Sequence, residues 1–476
     1  MILLKHIVPG EMCKTTHNKG LVLLACFLLP VIMGCGDSDT VSLRRFPYPY
    51  QAALAICSDI DETESVEELI AIQMFLNSEM ETGLGPGLSL DIGNSFWFYN
   101  DYIEFLSRGS TGDSDTAESY SGNTDFGISL FNGTSDSLSD CAPVLLALIR
   151  AGFVDCLHAY GHFGQGDFSR SLAKQAVELL ADESIEVDVY INHGGQANRQ
   201  NIGDASWFQG DNPGTQYYHT DLTIPAGIRF LWRGQLTHCI GQDGDFSVRN
   251  LLKRTYEYIQ DLWYSEQDYP HDNKLVHLYE LDDGAKVFEF VRYINPWGKY
   301  STATEEFLAS QLGPDQVDEL IDNHGYMIFY THLGKNQGPP YMSRATVDAL
   351  RYIKRKYDHD SLLVATTSKL LNYYVHREYL FWQWERRSDT VFVMIDSIAN
   401  EVEGVFIPDT FDLQGLTFYL PESHAVSLTV AGQSVRFTRN GRDETGRVSI
   451  SIPWHRPSPP DDIYELYPDL ASERAE

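Results

Sequence analysis

Basic residues are scarce: 35 Lys+Arg stand against 67 Asp+Glu, a formal charge of -32 over 476 residues. Phosphate recognition needs a basic face, so nucleic acid is excluded as a partner class, and adsorption to an anionic membrane surface is excluded with it. Cysteine is also sparse, seven in all, and no two form a CxxC pair, which removes the usual zinc knuckle. There is no G-x-S-x-G elbow for a serine hydrolase, no G-x-G-x-x-G and no phosphate loop. Internal repeats and long low-complexity runs are absent. The apolar stretch Leu21–Met33 is too short for a spanning helix, which needs about 20 residues. What remains is 43% hydrophobic and 12% aromatic residues, enough for a sizeable core. At roughly 150 residues per domain, the length predicts two to three domains.

The N-terminus reads as an address. Lys5, Lys14 and Lys19 precede the short apolar stretch, and Ile32-Met33-Gly34-Cys35 follows within it. This ending resembles a bacterial lipobox, which implies a signal peptide over 1–34 and a lipid on Cys35. The protein is then expected to be exported and membrane-anchored through that lipid alone, with the outer membrane or cell surface favoured. Gly36 rather than Asp follows the cysteine. Cys57, Cys141, Cys156 and Cys239 remain in the body, and the apolar runs around Cys57 and Cys156 predict core thiols.

Residues 35–46 form a polar tether. From 47 to 375 strands alternate with helices, beginning with the apolar run Ala52–Cys57 and a capping-box pattern at Ser65–Glu68. Ser139 is expected to cap a helix from Ala142. Further strands are expected at Val154–Leu157, Val187–Ile191, Gly227–Trp232, Tyr326–Tyr330 and Leu362–Ala365, and residues 275–293 read as an inserted hairpin. Such units build an α/β fold with a parallel sheet, open or closed into a (β/α) barrel. Short strands separated by Gly turns predict a small antiparallel β-sandwich over 376–456, and 457–476 is a tail.

Ionisable residues follow four of the expected strands, where parallel α/β folds collect their chemistry. They are Ser58-Asp59-Ile60-Asp61, Leu157-His158-Ala-Tyr-Gly-His162, Asn192-His193-Gly194-Gly195 and Thr331-His332. Two histidines and a carboxylate are a common donor set for zinc or another divalent ion. Asp61, His158 and His162 are that candidate triad, with Asp59 a neighbouring base. Trp207, Tyr217 and Trp232 are candidates for stacking on sugar rings.

Together these residues make the region from about 50 to 375 resemble the polysaccharide deacetylase superfamily, metal-dependent carbohydrate esterases on a distorted (β/α) barrel. That family has an Asp-Asp pair at its first strand end, an H-x-x-x-H pair and a late histidine. The resemblance implies Asp59 as base, Asp61, His158 and His162 as metal ligands, and His332 as acid. Here Ile60 separates the two aspartates. Asn192-His193-Gly194-Gly195 stands where the family's R-x-P-Y-G element falls, which makes His193 a further catalytic candidate. The expected function is metal-dependent removal of N- or O-acetyl groups from a polysaccharide or glycan, with zinc the first-choice cofactor. Alternatives are a non-catalytic carbohydrate-binding lipoprotein, or a hydrolase of C–N or glycosidic bonds on the same barrel. Oligomeric state is not readable.

Overall fold

A computed structural model describes residues 40–60, 63–100, 127–163, 168–194, 196–263, 269–270, 272–297, 304–334, 338–421 and 425–460. The expected signal peptide, Cys35, the start of the tether, Asp61 and the last part of the tail lie outside these residues. Residues from Asp39 onward form one compact unit. No helix among the described residues is long and apolar enough to cross a membrane.

Eight strands form the α/β region, all but β2 and β6 expected from the sequence: β1 Ala52–Asp59, β2 Gly93–Phe96, β3 Cys156–His158, β4 Val189–Ile191, β5 Phe230–Trp232, β6 Lys286–Phe290, β7 Tyr326–Thr331 and β8 Leu362–Ala365. Hydrogen bonding orders them β7-β1-β2-β3-β4-β5-β6, every pair parallel. β8 pairs with the first half of β1, and β2 with its second half. The sheet curls like half a barrel. The chain runs from β6 past Val291 into Arg292–Tyr293, which pairs with β7 at the other edge. The C-terminal ends of β1 to β7 therefore lie at one end of the curl, while β8 stops level with Ala55.

β1 is buried throughout, and its two faces have different neighbours. Ala53, Ala55 and Cys57 face inward, clustered with Cys156, Ile191, Phe230, Phe288, Phe290 and Ile328. Small residues on β1 leave room there for the phenylalanine rings. Ala52, Leu54 and Ile56 face outward onto Phe75 and Leu76 of helix α1 (Val66–Asn77) and Leu350 and Ile353 of helix α6 (Arg344–Asp358). Each fully buried side chain of this size contributes about 1.5–3 kcal/mol. Helix α1 starts where the sequence predicts, because the Ser65 hydroxyl accepts the Glu68 N–H at 3.1 Å. The Glu68 carboxylate takes the N–H of Glu64 at 2.8 Å rather than that of Ser65.

The other longer helices among the described residues are α2 (Ala142–Arg150), α3 (Arg170–Asp182), α4 (Val248–Trp263), α5 (Pro314–Asp322) and α7 (Thr367–Glu378). Ser139 does not cap α2. Its hydroxyl donates to the Ser129 carbonyl, and Cys141 occupies the cap position with no side-chain bond. Nor is 275–293 an insertion. Val276–Glu280 is antiparallel to β6, but β6 itself is a strand of the curled sheet.

The C-terminal part contains two small sheets. Leu380–Arg387, Thr390–Asn400, Gly404–Phe406, Ala425–Val430 and Gln433–Ser434 form one; Thr417–Tyr419, Thr438–Asn440 and Ser449–Ser451 form the other with Ser42–Leu43. The first is mixed rather than antiparallel throughout, since Thr390–Ile395 runs parallel to Ala425–Val430. The four body cysteines are free, and Cys57, Cys156 and Cys239 are buried. Burial pushes the Cys239 thiol up to about 12 and the Cys156 thiol well above its ordinary value.

Candidate functional site

Side chains alternate along a strand, so the inward rows continue into the C-terminal ends. Cys57 leads to Asp59, Cys156 to His158, Ile191 to His193, and Ile328 to Tyr330 and His332. The structure brings four sequence candidates into one row. The His158 Nδ1 faces Asp59 Oδ2 at 3.6 Å, beyond hydrogen-bond distance. His158 Nε2 lies 3.2 Å from His193 Nδ1, and His193 Nε2 lies 3.0 Å from His162 Nδ1. Asp59 accepts a hydrogen bond from the Ser95 hydroxyl, directly across β1 and β2.

The carboxylate assigns the protons. It favours a proton on the His158 nitrogen facing it, leaving His158 Nε2 as an acceptor. His193 Nδ1 then donates, His193 Nε2 accepts, and His162 Nδ1 donates. A proton taken up at the His162 end can shift through His193 to place positive charge beside Asp59. Asp59 and His158 are buried, while His162 and His193 are half-buried at the mouth. The Trp97 ring covers the row, with centroids 5.0 Å from His193 and 5.9 Å from both His158 and His162.

H-x-x-x-H here is not one turn of helix. His158 ends β3, Ala159 takes a positive φ of 48°, and His162 lies in the two-residue strand Gly161–His162. His193 turns opposite ring nitrogens to its two neighbours, so the three rings as placed do not converge on one cation. Among the described residues no three or more His, Cys, Asp or Glu are grouped to hold a metal ion.

A run of amides fixes the row. Asn201 Oδ1 accepts the His193 N–H at 3.1 Å, and Asn198 Oδ1 accepts the Phe163 N–H at 3.0 Å. The Gln200 amide donates to the Gly161 carbonyl at 2.9 Å. One loop therefore holds both the His162 and the His193 segments. Behind it His219 is fully buried; its Nε2 is 2.7 Å from the Gln200 carbonyl and its Nδ1 2.8 Å from the Thr223 hydroxyl. Burial lowers its pKa to about 4, because a second ring proton would find no solvent.

His332 follows β7, whose Thr331 pairs with Ser58. The Leu333 N–H donates to the Ser58 hydroxyl at 3.0 Å, and the His332 ring lies 5.3 Å from that of Tyr330. Trp232 also reaches the mouth, 6.3 Å from Tyr330. Trp207 and Tyr217 do not join this group: Trp207 is exposed and packs edge-on to Phe208, and Tyr217 is buried in the core cluster around Tyr160. Sequence reasoning did not single out Ser95 or the Asn198–Asn201 amides. It also passed over Arg292, which extends the inward row Phe288-Phe290 of β6.

A cleft of about 830 Å³ opens at the opposite end of the strands, lined by Asp155, Asp188, Arg229, Lys369 and Glu403 among others. Arg229 pairs there with Asp188 at 2.8 Å and with Glu403, Asp155 accepts the Ser368 N–H at 2.7 Å, and Lys369 donates to the His455 carbonyl. The imidazole row is the better seat for chemistry. Comparison with known protein families and with curated proteins finds no match for this chain.

Proposed function

We infer that the protein is a hydrolase that removes acetyl groups, N- or O-linked, from a polysaccharide or glycan outside the cytoplasm. The observation that carries this reading is the Asp59–His158–His193–His162 row at the C-terminal strand ends. A buried carboxylate behind a chain of imidazoles is a device for general-base catalysis. A water at the mouth loses its proton to the row, and the charge that results is stabilised by Asp59, itself held by Ser95. Trp97 limits water around the rings. His332, from the neighbouring strand, protonates the departing alkoxide or amine. Half-exposed aromatics at the mouth such as Trp232 suit the face of a sugar ring.

The reading includes a deacetylase-type barrel, a C-terminal β-sandwich and an exported, lipid-anchored chain. The resemblance also implies a divalent cation, zinc first, on Asp61, His158 and His162; with His193 seated between the two rings that donor set does not close on one ion, and no step is routed through it. Acetate release from a panel of acetylated glycans, alongside metal analysis of the purified protein, tests the reading. His193→Ala should lower turnover by about 10²–10⁴-fold with little change in KM. Undiminished acetate release in both His193→Ala and Asp59→Asn would remove the imidazole row from the mechanism.

A further inference from the structure

Two guanidiniums among the described residues are deeply buried, and they are treated in opposite ways. Arg44, 4% exposed, is fully met: Nε by Tyr419 and Asp443, Nη1 by the Phe46, Pro47 and Tyr50 carbonyls, Nη2 by Pro49 and Glu444. Arg292, 1% exposed, has no hydrogen-bond partner for Nε, Nη1 or Nη2 among the described residues. The nearest acid in sequence, Glu289, is committed to Arg233 at 2.7 Å. A buried charge without a counter-ion is among the costliest features a fold can carry.

What Arg292 does have is aromatic faces. Its guanidinium carbon is 4.2 Å from the Trp232 ring centre and 4.7 Å from that of Tyr330. Trp232 is pinned in turn by its indole N–H, which donates to the Gln235 carbonyl at 2.9 Å. Cation–π contacts offset part of the burial cost, but they occupy the faces of the guanidinium and leave its in-plane N–H groups unmet. By strand alternation Arg292 continues the inward row of Phe288 and Phe290, its guanidinium carbon 5.9 Å from the Phe290 ring centre and set between Trp232 and Tyr330. It therefore belongs to the same mouth as the imidazole row, beside the strand that carries His332.

We propose that Arg292 is the anion-recognition residue of this mouth and takes a carboxylate of the bound glycan. The in-plane edge of a guanidinium matches the two oxygens of a planar carboxylate, which accept from it in bidentate fashion. The substrate class is then a uronic-acid-type or other carboxylated sugar polymer. In calling that polymer a substrate, the inference rests on the hydrolase reading; the binding site itself does not.

Calorimetry on the whole protein separates the two. The probes are galacturonate oligomers and neutral galactose oligomers of equal length, with inorganic phosphate as competitor. The wild type should bind the carboxylated oligomer at least about tenfold more tightly. Arg292→Met, which keeps the volume and the aromatic packing, should lose that preference; Arg292→Lys, with a point charge and no fork, should keep only part of it. Equal affinity of the wild type for both oligomers overturns the proposal, as does a preference that survives Arg292→Met. Displacement of the oligomer by phosphate at lower concentration than by free galacturonate overturns the carboxylate assignment. If Arg292→Met does not fold, the wild-type comparison alone decides. Tight carboxylate binding without acetate release sustains this site and counts against the hydrolase; acetate release from neutral glycans only does the reverse.

Discussion

Lowering the pH from 7 to 5 should loosen the loop that aligns the imidazole row, through one residue. His219 is neutral in the folded chain, with a pKa of about 4 caused by burial, against an ordinary value of 6.5. The unfolded chain takes up the proton first as pH falls. The stability that this histidine contributes is therefore whole above about 6.5 and is lost progressively on the way down to about 4. A shift of about 2.5 units corresponds to about 3 kcal/mol in total, of which about 2 kcal/mol is gone by pH 5. Asp155 works in the opposite sense. Burial raises its carboxyl to about 6, so its penalty on the folded state eases as pH falls through the same window. The wild-type curve alone will consequently look flatter than His219 dictates. The difference between the wild type and His219→Gln isolates the effect. Urea unfolding followed by circular dichroism at pH 7 and pH 5 should show the gap between the two proteins shrinking by about 2 kcal/mol. A gap that stays constant between the two pH values would refute the assignment.

Arg44→Met should destabilise the protein by about 3–5 kcal/mol, because Asp443 is left buried with its cation removed; a shift in urea midpoint reads it. Cys57, Cys156 and Cys239 should resist a thiol reagent in the native protein and react once urea is added, with half-buried Cys141 labelling first, a sequence that timed mass spectrometry resolves. Glu403 is held down to about 2. Burial alone would raise it, but the neighbouring His376 ring at 3.5 Å and the Arg229 charge outweigh that. Its contribution is present above about 4.5 and lost as pH falls toward 2, so Glu403→Gln should flatten acid unfolding in that range.

Much of the barrel-like region was legible because its strands are short, apolar and punctuated. β1 could be read from Ala52–Cys57 alone, and the chemistry after it from the rule that strand ends carry function. The resulting candidates Asp59, His158, His162, His193 and His332 all stand at C-terminal strand ends or just beyond. Their partnership was less legible. Nothing in H-x-x-x-H says that a third ring will lie between the pair, because that depends on how β3 and β4 lie in register and on amides forty residues along. Arg292 was missed for a different reason. The hairpin before it has the look of an insertion, and only the parallel pairing of β6 with β5 makes residue 292 part of an inward row. In the C-terminal part the turns were readable, but a parallel neighbour inside the sheet was not, since pairing direction leaves no mark on composition.

Ser42–Leu43 pairs with Phe418 and Tyr419, and Arg44 beside it is clamped by Asp443 and Glu444. Ser42–Arg44 thus wait for partners made some four hundred residues later. Folding cannot be completed in order of synthesis, since the opening strand has no edge to join until the closing sheet exists. A chain stopped short of residue 443 would strand a charged guanidinium among bare carbonyls. The two ends of the body act as a mutual latch, and the loss of either should open the other.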